Sequence, residues 1–280
     1  MTYQFPTQII SNIRRQSPLI HCITNYVTAN DVANMILAIG GAPIMADGIL
    51  EVEDIVSLSR GLMLNLGTLN EGKLESMIKA GKTAEKRNIP IIFDPVGAGA
   101  SRFRTDAALR IMNELPCHVI RGNASEIKSL ALGTGSMGGV DADKKDRISE
   151  GNLEYYLDMG KELSRRTGAV VAVTGAVDVV TDGKTSFIIR GGDPMMSRIT
   201  GTGCMLDGVT AAFCASGGKE DSAAALTALA VAAEGICGQT AAQKTAQANG
   251  GTASFRMYLI DAMSRLTDDM VIGGAKIEIR

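Results

Sequence analysis

Between residues 18 and 173 the chain repeats one pattern: a short apolar run of strand character, then a stretch with apolar residues at helical spacing. Strand-like runs fall at 18–23, 43–46, 62–66, 89–93, 118–121 and 169–173. Helical patterns lie between them at about 52–59, 71–87, 105–115 and 153–166, with another marked by Ala33, Met35, Ile36, Leu37 and Ile39 and closed by Gly40-Gly41. Strands separated by such helices pair in parallel through right-handed crossovers. Residues 177–184 and 186–190 then read as a hairpin, which gives the sheet an antiparallel edge. A helical pattern at 3–16 precedes all this, and others over about 203–216, 220–243 and 252–267 follow it. No repeat, linker or shift in composition divides the 280 residues. The expectation is one α/β domain over 1–280, a central, mostly parallel sheet with helices on both faces and an antiparallel edge.

Parallel sheets bind ligands beyond the carboxyl ends of their strands, which draws attention to Asn25, Met45, Gly67, Asp94 and Asn123. The stretch 197–208 adds a glycine-rich turn running straight into an apolar helix, with Gly201 and Gly203 flanking Thr202. Bare backbone there can approach a ligand, and the first amides and the helix dipole make an anion site of Gly201, Thr202 and Gly203. Cys204, on the first turn, should feel the same field, which lowers a thiol's pKa from about 8.5. An ordinary loop before a core helix, with a structural cysteine, fits the same residues.

No Walker loop is present, so a nucleotide would need another phosphate cradle. Asp94 ends one strand, and Asn123-Ala124-Ser125-Glu126 opens a helix after the next, which brings two carboxylates to one sheet edge, enough for Mg2+. Taken singly, Asp94 is also a turn residue before Pro95, and Glu126 a helix-start acid favoured by the dipole. Residues 133–152 read as a surface loop. Its Gly133-x-Gly135-x-x-Gly138 matches the dinucleotide fingerprint only formally, because a helix precedes it and none follows within a few residues.

Composition removes several classes of function. With 28 basic and 30 acidic residues the net charge is -2, and no long basic run offers itself to nucleic acid. Cys22, Cys117, Cys204, Cys214 and Cys237 are odd in number and widely spaced, without a disulfide or zinc pattern. His21 and His118 read as structural histidines. The amino terminus lacks the features of a signal peptide, and the apolar stretch 222–233 is too short to span a bilayer, so a soluble cytoplasmic protein without a membrane partner is expected.

Asn123-x-x-Glu126 and Gly201-Thr202-Gly203-Cys204 together resemble the N-x-x-E and G-A/T-G-D/C signatures of the ribokinase-like superfamily. Within it, Ile23-Thr24-Asn25-Tyr26-Val27-Thr28, Gly41 to Ala46, Asn65-Leu66-Gly67-Thr68, Asp94-Pro95-Val96-Gly97-Ala98 and Val173-Thr174-Gly175 are similar, in order, to segments of the hydroxyethylthiazole kinase family. The resemblance covers about residues 18–216. It implies ATP-dependent phosphorylation of the primary alcohol of 4-methyl-5-(2-hydroxyethyl)thiazole in thiamine salvage, by a homotrimer whose sites are shared between subunits. By the same resemblance, Asn25, Met45, Gly67 and Gly201 line the thiazole site, Arg121 and Thr174 contact ATP phosphates, and Asp94 and Glu126 organise Mg2+. Cys204 stands where most of the superfamily has an aspartate base. Val27, Met45 and Cys204 also suit a polarizable sulfur ring. Arg121 could instead pair with a nearby acid, and Thr174 could be a turn hydroxyl. Rival readings on this fold are a hydroxymethylpyrimidine or sugar kinase, a nucleotide-dependent dehydratase that repairs hydrated nicotinamide cofactor, and a ligand-binding regulator.

Overall fold

The computed structural model describes residues 4–133 and 148–280. The rejected glycine triplet beyond Gly133 and most of the loop expected at 133–152 lie outside the described residues, as does the start of the amino-terminal helical pattern.

Strands β1 (Leu19–Ile23), β2 (Ala42–Ile44), β3 (Gly61–Asn65), β4 (Ile91–Asp94), β5 (Val119–Asn123) and β6 (Val170–Thr174) run parallel. They are followed by antiparallel β7 (Asp178–Thr181), β8 (Ser186–Ile189) and β9 (Ile277–Ile279). Among the described residues these form one nine-stranded sheet, in the order β2-β1-β3-β4-β5-β6-β7-β8-β9. The inner strands are rich in Ile, Leu and Val because both faces are covered.

Alternate residues of each strand serve alternate cores. Ile20, Cys22, Met63, Ile92, Val119, Ala172 and Val180 belong to one cluster with α1 (Ile9–Gln16), α2 (Ala29–Ile39), α8 (Thr202–Ser216), α9 (Ala223–Gln247), α10 (Thr252–Ser264) and α11 (Asp268–Gly274). Ile23, Leu64, Phe93, Ile120, Val171 and Val173 form the other, with α3 (Val52–Leu58), α4 (Glu71–Lys86), α5 (Arg102–Glu114), α6 (Ala124–Leu132) and α7 (Leu153–Thr167).

Three sequence expectations change. The helix expected over about 252–267 ends at Ser264, and Thr267, whose side chain accepts from Met270 N, caps a further helix, α11. Beyond it β9 extends the antiparallel edge by pairing with Phe187, Ile188 and Ile189 of β8. The apolar stretch 222–233, expected to be too short to span a bilayer, forms the start of the longer helix α9 (Ala223–Gln247). α9 thereby becomes long and apolar enough to cross a membrane by length and composition, yet 78% of its apolar window is buried inside the fold.

For function the carboxyl edge of the parallel strands matters most. β3 and β4 pair Asn65 with Asp94, while Phe93 pairs with Ile120 of β5, so Asp94 and Arg121 follow as neighbours. Two residues on from Met63, Ile92, Val119 and Ala172, the pleat turns Asn65, Asp94, Arg121 and Thr174 toward the face covered by α8.

Candidate active site

The first turn of α8 closes this edge from above. Gly201 holds φ at 91°, and a Cβ there would stand 2.7 Å from Thr28 Cγ2; glycine meets both demands. Gly203 lies so close to Arg121 that a Cβ would meet Nη1 at 2.5 Å. Met205 N donates to Gly201 O at 2.8 Å as the first rung of the helix, so the amides of Thr202, Gly203 and Cys204 precede the ladder. Together with the dipole they form an anion-attracting tip.

Under that tip the strand ends make a polar row. Asp94 Oδ2 accepts from Asn65 Nδ2 at 2.9 Å and from Arg121 Nη1 at 3.1 Å. Arg121 Nη2 donates to Thr174 Oγ1 at 2.9 Å, and that hydroxyl donates to Gly122 O at 3.3 Å. Asp207, three residues after Cys204 on α8, points into the same row: Oδ2 accepts from Asn65 Nδ2 at 3.2 Å, and Oδ1 lies 3.7 Å from Arg121 Nη1. Cys204 Sγ accepts from Asn25 Nδ2 at 3.3 Å and Asn65 Nδ2 at 3.4 Å. One ligand atom each from Asp94, Cys204 and Asp207 falls within 4.8 Å of the others.

Burial and mutual repulsion dominate the electrostatics. Burial, then the charge of Asp207, holds Asp94 well above the usual carboxylate range. Asp207 is pushed up to about 6 by burial, with Arg121 restraining the shift. Burial works against charge on Arg121, but Asp207 and Asp94 outweigh it and keep the guanidinium ionised. Cys204 is pushed up to about 12 by burial and then by Asp94 and Asp207. This corrects the sequence expectation of a lowered thiol pKa. A helix tip carries only about half a charge, whereas the sulfur is taken out of water and two carboxylates stand close to it.

Glu126 has a second task. It closes a capping box at the start of α6: Glu126 N donates to Asn123 Oδ1 at 2.9 Å, and Asn123 N donates to Glu126 Oε2 at 2.8 Å. Its Oε1 accepts from Gly97 N at 2.9 Å. Burial, then Asp94, raises it to about 7. The helix-start reading therefore holds, and each oxygen keeps a lone pair free.

On the other side of the row, Asn25 Oδ1 accepts from Thr28 N and Thr28 Oγ1, each at 3.0 Å. Asn25 Nδ2 donates to Asn65 Oδ1 at 3.0 Å, and Gly67 N donates to the same oxygen at 3.0 Å. Asn25 and Gly67 are thus joined to the acids through Asn65. Val27 and Met45 stand farther out, 65% and 39% exposed. Lys73 of α4 ties their two loops together from below: buried Nζ donates to Thr24 O at 2.8 Å, lies 3.6 Å from Asp47 and 3.8 Å from the centre of the Tyr26 ring. His21 Nε2 lies 2.6 Å from Ala46 O, and His118 Nδ1 accepts from Ile91 N at 3.2 Å, so both histidines serve the framework.

Sequence reasoning missed Asp207, and took Asn65 only as part of a motif. The signal for Asp207 was present: it is the one acid in an otherwise apolar helix, at i+3 from Cys204.

A family model described as "Hydroxyethylthiazole kinase family" matches residues 10–269. Among curated proteins, the chain is similar to a hydroxyethylthiazole kinase of Clostridium acetobutylicum, 48% identical over 96% of this chain and 97% of the relative. One from Desulfovibrio desulfuricans is 44% identical over 95% of this chain and 94% of its own. Among solved structures, the hydroxyethylthiazole kinase protein of Pyrococcus horikoshii superposes with a TM-score of 0.83 at 34% identity, covering 97% of each chain. The pyridoxal kinase of Staphylococcus aureus, at a TM-score of 0.56 and 13% identity, shares the fold.

Proposed function

This chain belongs to the hydroxyethylthiazole kinase family, and from that premise we propose that it phosphorylates the primary alcohol of 4-methyl-5-(2-hydroxyethyl)thiazole, with ATP and Mg2+, in thiamine salvage. One observation carries the reading: a glycine-led helix tip, a buried guanidinium and the acids Asp94 and Asp207 converge beside Cys204 at one strand edge. Phosphoryl transfer asks little covalent chemistry of a protein, and most of the catalysis is positioning and neutralisation of spread charge.

In this reading the tip at Gly201, Thr202 and Gly203 receives the transferring phosphoryl group, and Arg121 and Thr174 contact the phosphates of ATP. Asn25, Val27, Met45, Gly67 and Gly201 surround the thiazole. Cys204 meets the reacting hydroxyl. Because burial, and then Asp94 and Asp207, hold its thiol neutral, its first contribution is orientation; the hydroxyl proton passes late, to an oxygen of the transferred phosphoryl group, as a loose transition state allows. The donor set fits a divalent cation: Asp94, Asp207 and Glu126 are buried carboxylates, the first two on one guanidinium, and Asp94 Oδ1 has no hydrogen-bond partner. Asp94 and Glu126 would hold Mg2+, which when bound supplies positive charge to the transferring phosphates.

A homotrimer with sites completed between subunits belongs to the same proposal. Val27 and Met45 are 65% and 39% exposed, and nearby in sequence Tyr26 and Leu50 are 66% and 93% exposed, whereas a site for a small apolar ring needs such side chains covered. The proposal also takes residues 1–280 as one domain, supported by a single sheet with a core on each face, and a cytoplasmic enzyme, where ATP is supplied.

Initial rates of ADP release with the thiazole alcohol, a hydroxymethylpyrimidine and a sugar test the substrate. The thiazole alcohol should give by far the highest kcat/KM; an equal value for the pyrimidine would overturn the assignment.

A further inference from the structure

At the centre of the site one amide group with two hydrogens faces three acceptors. Asn65 Nδ2 lies 2.9 Å from Asp94 Oδ2, 3.2 Å from Asp207 Oδ2 and 3.4 Å from Cys204 Sγ. Its Oδ1 accepts from Asn25 Nδ2 and from Gly67 N, each at 3.0 Å. Those two donors fix the amide's orientation, since a flipped Asn65 would set its NH2 against them and its oxygen against two carboxylates. The side chain is fully buried at the last position of β3, where it has no room to swing.

Geometry of this kind serves more than the closing of a turn. An acceptor for Gly67 N would be enough to shape the loop after β3, and the oxygen alone does that. The nitrogen instead reaches across to β4 and to two residues of α8, and so ties the strand edge to the helix tip. Asn25, on the loop after β1, completes a ring by donating to both Asn65 Oδ1 and Cys204 Sγ.

We propose that Asn65 is a positioning residue: it sets the spacing between the Cys204 sulfur and the Asp94 and Asp207 carboxylates and locks that spacing to Asn25 and Gly67 on the alcohol side. It touches neither substrate and acts through the groups it holds. For its kinetic consequence this rests on the kinase reading above. A misplacement of reacting groups by about 1 Å can cost on the order of 100-fold in rate, which is the scale expected when the amide is lost.

The test is steady-state kinetics of the full chain with Asn65→Leu, which keeps the bulk and removes every hydrogen bond, and Asn65→Ser as a gentler variant should the first not fold. For either, kcat should fall, by about 100-fold for Asn65→Leu, while KM for ATP stays within about twofold. A double-mutant cycle with Cys204→Ala supplies the second readout. If Asn65 acts through the sulfur and its neighbours, the Asn65 substitution should cost at least about twofold less in kcat when Cys204 is already alanine. Unchanged kcat, a loss confined to KM for ATP, or effects that simply multiply would each overturn the proposal. A parent enzyme that makes no thiazole phosphate would sink the kinase reading instead, so the two failures are distinguishable.

Discussion

Arg121 and Asp94 face each other from adjacent strands with Nη1 3.1 Å from Oδ2, and only 12% and 1% of the two side chains are exposed. The guanidinium also lies 3.7 Å from Asp207 Oδ1, so one buried cation serves two buried acids.

Removing that cation leaves both acids uncompensated. Arg121→Met should cost about 3–5 kcal/mol of stability, the scale for breaking a buried ion pair from one side, read by urea unfolding. Arg121→Lys should fold better but turn over poorly, because an ammonium cannot repeat the fork that reaches both Asp94 and Thr174. Wild-type unfolding midpoints for Arg121→Met would contradict the pairing.

Cys204 is expected to help without being indispensable. Cys204→Ala should lose part of the turnover, and Cys204→Asp should retain or improve it, since a carboxylate there can accept the alcohol's proton. An alanine variant as fast as the parent would remove Cys204 from the chemistry.

Lys73 anchors the loops that carry Asn25 and Met45 without reaching the row of acids. Lys73→Met should raise KM for the thiazole alcohol by about tenfold, because binding must then order both loops, with KM for ATP nearly unchanged. Equal increases in both constants would point to a general loss of structure.

Glu234 lies buried in α9 with Oε1 unpartnered, and burial raises it from the usual 4.5 to about 8. The folded chain therefore keeps this proton to higher pH than the unfolded chain, and stability falls as pH rises between those two values. Glu234→Gln should leave stability little changed near pH 4.5 and raise it by roughly a few kcal/mol above pH 8, as followed by urea unfolding across pH. A variant less stable than the parent above pH 8 would contradict the burial of a neutral acid.

Most of the sheet was legible because its strands are continuous apolar runs between helices of clear period. The run at 62–66 became Gly61–Asn65, and the helical pattern at 71–87 became Glu71–Lys86. β9 was not legible: three residues carry little periodicity, and only pairing with β8, far away in the chain, makes them a strand. At the site, motif positions drew attention to Asp94, Arg121, Thr174 and Cys204, but their partners depend on strand register and helix phase. That is why Asp207 and the bridging amide of Asn65 emerged only in three dimensions. The Cys204 thiol went wrong for the same reason, since the dipole is visible in sequence, whereas the burial of the sulfur and the two acids beside it are not.

The most direct measurement is product analysis after incubating the purified chain with ATP, Mg2+ and the thiazole alcohol, for the parent and for Asp94→Ala. Mass spectrometry should find thiazole phosphate and ADP in equal amounts from the parent and almost none from the variant. No thiazole phosphate from the parent, or an undiminished yield from Asp94→Ala, would contradict phosphoryl transfer at this strand edge.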